Sequence, residues 1–223
     1  VALLGRTQAR WAFGKVRSID DAAPERGRAQ LMATLGSLQT RLHEQPTLGF
    51  NFLRGNVAVS SGNLFMSRDF AEQIGAFAPL RYNHDWDFCL RALWHAEPAY
   101  LPEIAYEYRV HEYNTIAESR SAATREADTV VAAYLADALS VRAAPNALAP
   151  CRHHWGEEFL RICLLYGLGR LFDTNALLGL QRQLTANPAG AAVPEPASQP
   201  AATPARATWP MPSPSSAILR WTR

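Results

Sequence analysis

Apolar and polar positions alternate along the chain in two rhythms, and the change from one to the other outlines its elements. Leu31, Leu35, Leu38 and Leu42 recur at intervals of four, three and four, predicting a helix from about residue 28 to 44, preceded by Gly27 and ended by Pro46. The run Asn56-Val57-Ala58-Val59-Ser60-Ser61-Gly62-Asn63 is rich in β-formers and predicts a short strand breaking at Gly62-Asn63. Ser67 is placed to cap a helix carrying Phe70 and Ile74, with Gly75 closing it. A further helix follows Asn83, with Trp86, Cys89 or Leu90, and Leu93 on one face, and Asp87 and Arg91 four apart on another. Ile104, Tyr106, Tyr108 and Val110 then alternate with Ala105, Glu107, Arg109 and His111, the pattern of a half-buried strand with His111 on its polar side.

Beyond Ala117 the period is helical, with Val130, Tyr134 and Leu135 in one segment and Trp155, Phe159, Ile162 and Leu165 in another, separated by a hinge at Asn146–Pro150. The order strand, helix, helix, strand, helices predicts an α/β fold. Eight of the 15 prolines fall after Asn187 among Ala and Ser, so residues 187–223 are expected to be a disordered or polyproline-like tail. The expected organisation is 1–116, an α/β half-domain; 117–186, a helical extension; and 187–223, the tail. No internal repeat is present.

Composition narrows the functional classes. An apolar share of 48% is that of an ordinary globular chain. The net charge of +2 is already contributed by Glu195, Arg206, Arg220 and Arg223, so the body is close to neutral and offers no basic field for nucleic acid. Lys15 is the only lysine beside 21 arginines, a bias expected from codon usage. Cys89, Cys151 and Cys163 form no CxxC pair and are odd in number, which points to reduced thiols in a cytoplasmic protein. The longest apolar stretch, Phe159–Phe172, contains Arg161 and Arg170 and is too short to span a bilayer. Contact with the inner face of a membrane through the helices after Ala117 stays open. The chain starts at Val1 without Met and reads as starting within a domain.

The densest chemistry lies in Asn83-His84-Asp85-Trp86-Asp87-Phe88-Cys89-Leu90-Arg91. Asp85 falls at a helix N-terminus, where free amides favour the ionised carboxylate. There it could take a proton from a substrate hydroxyl, or simply cap the helix. On an extended segment Asp85 and Asp87 would share a cation; on a helix they diverge by roughly 200°. The helical spacing assigns one functional carboxylate to Asp85 and makes Asp87 the partner of Arg91. His111 could ligate a metal or be a hydrogen-bonded structural residue. Trp86 could stack on a sugar ring or pack in the core. Gly62-Asn63 could bring backbone amides close to a ligand or be a plain turn. His84-Asp85 would also suit a metal phosphohydrolase, but His43, His95 and His153-His154 lack the spacing for further ligands.

Taken in order, Asn56…Ser61-Gly62-Asn63-Leu64-Phe65, Ile74-Gly75-Ala76-Phe77, His84-Asp85-Trp86-Asp87-Phe88…Arg91, Pro102, Tyr108-Arg109-Val110-His111 and Asn114-Thr115 resemble the second half of family 2 glycosyltransferases. The resemblance covers about residues 11 to 116. It implies a partial GT-A fold, a Rossmann-like sandwich that binds a nucleotide-diphosphate sugar, and inverting transfer to a saccharide, lipid-linked or protein acceptor. In that frame Asp85 is the general base. His84 replaces the commoner Glu, Gly62 and Asn63 lie under the donor sugar, Trp86 borders the acceptor, and His111 helps hold Mg²⁺ or Mn²⁺ or the diphosphate. The aspartate motif that anchors the metal in relatives has no counterpart before Trp11, and Asp20-Asp21 does not supply it. The expectation is therefore a C-terminal fragment of an enzyme, inactive by itself, or else a non-catalytic remnant or interaction module.

Overall fold

The computed structural model of the protein describes residues 2–7, 9–19, 33–34, 36–109, 119–140 and 142–173. It is a mixed α/β structure built on a small three-stranded sheet. After a short helix α1 (Ala2–Thr7), strand β1 (Trp11–Ile19) forms the centre of that sheet. Helix α2 (Leu48–Arg54), strand β2 (Leu64–Met66), helix α3 (Arg68–Ile74), helix α4 (His84–His95) and strand β3 (Ala99–Arg109) follow. Helices α5 (Arg120–Ala138) and α6 (Arg152–Leu165) complete the described chain, with a 3₁₀ turn at Leu168–Leu171.

β2 pairs antiparallel with the start of β1, Trp11 opposite Met66 and Phe13 opposite Leu64. β3 runs parallel to the whole of β1, from Ala12 opposite Ala99 to Ile19 opposite Arg109. The register slips around Lys15, because β3 uses Leu101 and then Ile104 as partners and bulges out Pro102 and Glu103. Proline cannot donate to a ladder and belongs at such a bulge. The bulge also presses β3 onto β1: a Cβ on Gly14 would lie 2.3 Å from the Cβ of Ala105. Only glycine fits there. The bulge shifts the expected inside–outside alternation too, leaving Ile104 49% exposed.

Two expected elements differ. The helix expected to reach residue 44 is helical only to Leu38, followed by a turn and a 3₁₀ turn at Leu42–Glu44. Gln39 explains the early end: its side chain accepts from Val16 N–H at 2.8 Å and donates to Gly14 O at 3.1 Å and Val57 O at 2.8 Å. Those are backbone groups next to the bulge, and Gln39 supplies their partners. The β-rich run 56–63 is a turn and a 3₁₀ segment rather than a strand, with Val59 N–H donating to Asn56 O; pairing begins only at Leu64. Val57 and Ala58 are apolar because the turn is buried, not because it is extended.

The expected caps of α3 are present: Ser67 Oγ accepts from Phe70 N–H at 3.3 Å, and Gly75 closes the helix at φ 85°. One hydrophobic cluster holds the described elements together. Phe52 of α2 packs on Trp11 at 5.7 Å and edge-on to Phe13 at 5.4 Å. On the other side of α2, Phe50 meets Trp155 of α6 edge-on at 5.2 Å. Val130, Tyr134 and Leu135 of α5, and Phe159 and Ile162 of α6, are buried in the same cluster as the sheet residues. The core therefore runs across the boundary expected at residue 116. Leu165, expected on the apolar face of α6, is 67% exposed. Asn146, expected in a hinge, is buried and fastened to α4, its Nδ2 donating to Leu93 O at 2.8 Å and its N–H to Trp94 O at 3.3 Å. Among the described residues no helix is long and apolar enough to cross a membrane. The proposed tail lies outside the described residues.

Candidate functional site at the start of helix α4

The segment leading into α4 is gripped from α5. Glu126 accepts from three consecutive backbone amides: Arg81 at 3.1 Å, Tyr82 at 2.7 Å and Asn83 at 2.6 Å. Burial pushes the Glu126 carboxyl up, but those three bonds, with the Asn83 side chain, together outweigh it and hold the group below its ordinary range. Asn83 stands at the N-cap but does not cap with its side chain, which donates to Ala123 O at 3.0 Å instead. Within the first turn of α4, Asp85 Oδ1 accepts from the free amide of Trp86 at 2.8 Å.

Asp85 is half-buried, and burial pushes its carboxyl above the ordinary aspartate value. The charge of His84, the amides of Trp86 and Asp85, and a hydrogen bond from the Asn56 side chain oppose that rise. The Asn56 amide is oriented by its other end, since Oδ1 accepts from Ala58 N–H at 3.2 Å and leaves Nδ2 to donate. Tyr108 of β3 faces the same carboxylate: burial, then Tyr106, then Asp85 raise its phenol. Tyr106 reaches the 60–62 loop, its hydroxyl 3.3 Å from Ser60 Oγ. The polar surface around Asp85 is therefore assembled from the start of α4, the turn after α2 and the Tyr106–Tyr108 face of β3.

The other residues singled out from sequence take varied places. A Cβ on Gly62 would lie 2.8 Å from the Tyr106 ring, so Gly62 is needed for close approach, but to a side chain of the protein itself. Its N–H donates to Ser60 Oγ at 3.3 Å, and the Asn63 N–H donates to Ser60 O at 3.0 Å. The amides expected beneath a donor sugar are thus internally engaged. Asn63 is fully buried: Oδ1 accepts from Gly14 N–H at 3.1 Å, and Nδ2 donates to Gly14 O at 2.8 Å and Ala58 O at 2.9 Å. The Asn63 side chain thus forms a latch between β1 and the 56–63 turn. His84 stacks edge-on against Phe77 at 5.8 Å.

Trp86 takes the packing role of its two expected readings and has a cavity beside it. Its Nε1–H donates to Phe52 O at 2.8 Å and its ring packs on the core, yet it also lines a cavity of about 450 Å³ with Leu53, Val131 and Leu168. Asp87 pairs with Arg91 as the spacing requires, at 2.8 Å; Arg91 continues to Ile74 O at 2.7 Å and Ala76 O at 3.0 Å, tying α4 to the end of α3. The two carboxylates of Asp85-Trp86-Asp87 are therefore divided between tasks. His111 lies outside the described residues, as do Asn114 and Thr115.

Among the described residues no three His, Cys, Asp or Glu side chains gather where they could hold a metal. His111, which the resemblance assigns to Mg²⁺ or Mn²⁺, lies outside that set. The groups around Asp85 that sequence reading did not assign are the phenol of Tyr108, the side chain of Asn56 and, behind the loop, Glu126. Asn56 stood within the ordered motifs but was read as strand. Glu126 carried no local signal, because its partners are backbone amides some 43 residues earlier.

Comparison with protein-family models, with curated proteins and with solved structures returned no match.

Proposed function

We propose that this chain carries the acceptor-side half of an inverting, GT-A-type sugar transfer from a nucleotide-diphosphate sugar, with Asp85 as the general base. The observation that carries the reading is the setting of Asp85. It is a carboxylate held at the first turn of a helix, made more basic than free aspartate by burial, and bordered by the polar side chains of Asn56 and Tyr108. Oδ1 is occupied by Trp86 N–H; a lone pair of the carboxylate takes the proton as the acceptor hydroxyl attacks the anomeric carbon opposite the leaving diphosphate. General-base assistance supplies about 10²–10⁴ of the rate. Positioning of donor and acceptor supplies much of the rest, and the ring of Trp86, next to Asp85 in sequence, lines a separate cavity where it is suited to lie against a sugar.

The test is sugar transfer from UDP- and GDP-sugars to a saccharide acceptor, assayed on the longest reading frame containing the chain. Asp85→Asn is expected to lower kcat by about 10²-fold or more, while calorimetric donor binding is retained. Normal turnover by this variant would remove Asp85 from the role. A second reading, a non-catalytic interaction module, is favoured by one observation: the bond of Asp85 Oδ1 to Trp86 N–H already accounts for an aspartate at this position as a cap. Absence of both donor binding and transfer selects it.

A further inference from the structure

The cavity beside Trp86 lies between elements that are far apart in the chain: the end of α2, the start of α4, one side of α5, and the end of α6 with the 3₁₀ turn after it. Its volume of about 450 Å³ falls in the range of small-molecule sites. The lining is of two kinds. Leu53, Val131 and Leu168 are buried and form an apolar floor. The Trp86 indole adds a ring face only, because its Nε1–H is already donated to Phe52 O at 2.8 Å. Leu165, at the end of α6, also lines the cavity and is 67% exposed, an aliphatic side chain that the fold leaves in water. The charged lining groups are Arg54, Asp128 and Arg170, and both arginines reach solvent. Asp128 and Arg170 neutralise each other as an ion pair. Arg54 makes no ion pair among the described residues. An apolar hollow with one uncompensated positive charge at its edge is the result.

We propose that this cavity binds a small organic anion with an apolar body. A ring or short chain lies over Leu53, Val131 and Leu168 against the face of Trp86, and a carboxylate or phosphate sits on the Arg54 guanidinium. The guanidinium fork matches either group with two parallel hydrogen bonds and stays charged at every physiological pH. Covering the floor and the exposed Leu165 removes apolar surface from water, which drives the body of the ligand inward. A cationic ligand would meet Arg54 as a like charge, and a neutral one would leave it unanswered. The ring of Trp86 by itself suits a sugar; the other walls add an apolar and an anionic part to what the ligand carries. The site stands on these walls and not on the reading of Asp85 as a base.

The experiment is methyl ¹³C NMR of the whole chain, titrated with phenylbutyrate, phenylbutanol and phenylbutylamine, which share one apolar body and differ in head group. Phenylbutyrate should shift the methyl signals of Leu53, Val131 and Leu168 in a saturable way. Phenylbutanol should bind about tenfold more weakly, the size of a lost bond to a charged group, and the amine more weakly still. Phenylbutyl phosphate in the same series distinguishes phosphate from carboxylate as the preferred head group, and a preference for either supports the site. Arg54→Gln changes an exposed side chain and leaves the floor intact. It should bring phenylbutyrate down to the affinity of the alcohol while the alcohol binds as before. The proposal is overturned by any of three results: anions that leave those three methyl signals unmoved, an amine that binds as tightly as the anions, or an anion affinity untouched by Arg54→Gln. Anion binding by a protein that transfers no sugar keeps the site and removes only the transferase reading; transfer without anion binding does the reverse.

Discussion

Glu97, just past the end of α4, gives the sharpest test of the packing described above. Its Oε1 accepts from Gly49 N–H at 2.9 Å, but Oε2 is buried without a hydrogen-bond partner. The nearest polar side chains are already engaged: Thr47 Oγ1 with Leu148 O at 3.3 Å, and Asn146 Nδ2 with Leu93 O at 2.8 Å. Burial therefore dominates and lifts the carboxyl from 4.5 to about 7. At about 1.4 kcal/mol per pH unit, the fully ionised carboxylate costs about 3 kcal/mol of stability. The folded value lies above the unfolded one, so the favourable contribution is complete below about pH 4.5 and is lost as pH rises through about 7. Glu97→Gln removes the titration and keeps an oxygen for Gly49 N–H. Urea unfolding at pH 5, 6, 7 and 8 is the assay, read as the difference between the two proteins. That difference should grow in favour of the glutamine variant by about 2 kcal/mol from pH 5 to pH 8. All other titrating groups are common to both chains and cancel. Parallel stability curves would refute the placement of a carboxylate with one buried, unpartnered oxygen at this position.

Three further outcomes follow from the sheet and the site loop. Gly14→Ala should cost about 2 kcal/mol or more by thermal unfolding, because its Cβ would meet Ala105 Cβ at 2.3 Å; Ala105→Gly in the same chain should restore much of the loss, and absence of rescue would misplace the bulge. Asn63→Ala orphans Gly14 N–H and Ala58 O and leaves Gly14 O with Gln39 alone, an expected loss of about 2 kcal/mol or more in chemical denaturation, far above that of a surface turn residue. Glu126→Ala should cost about 1 kcal/mol, since its three amide bonds lie at a solvent-accessible site. Glu126 is held below its ordinary range, so its contribution is present above about pH 4.5 and fades in acid; hydrogen exchange of Arg81, Tyr82 and Asn83 amides should quicken in the variant and at low pH alike.

What could be read from sequence was the local part. Ser67 and Gly75 announce α3 through cap chemistry acting within a few residues, and Asp87 with Arg91 announces one face of α4 through a single helical turn. The mixed α/β character followed from the change of period. The 56–63 run misled because β-branched and small apolar residues suit a buried turn as well as a strand, and burial there is imposed by Gln39 and Asn63 from elsewhere. The helix before it was overextended for the same reason: Gln39 trades helical continuity for backbone partners on β1. Asp85 could be singled out by its place after Asn83, but its setting could not. Asn56, Tyr108 and Glu126 reach this end of α4 from separations of about 30, 20 and 40 residues, over which no periodicity operates.

The grip of Glu126 on residues 81–83 makes dissection of this protein at the seam near residue 116 self-defeating. A piece stopping there would lose the only described side chain that ties those three amides, and would lay Phe50, Leu93 and Trp94 open to water where α5 and α6 had covered them. Expression boundaries for this chain accordingly belong beyond Phe172, with α5 and α6 carried as part of the same packed body rather than trimmed as an appendage.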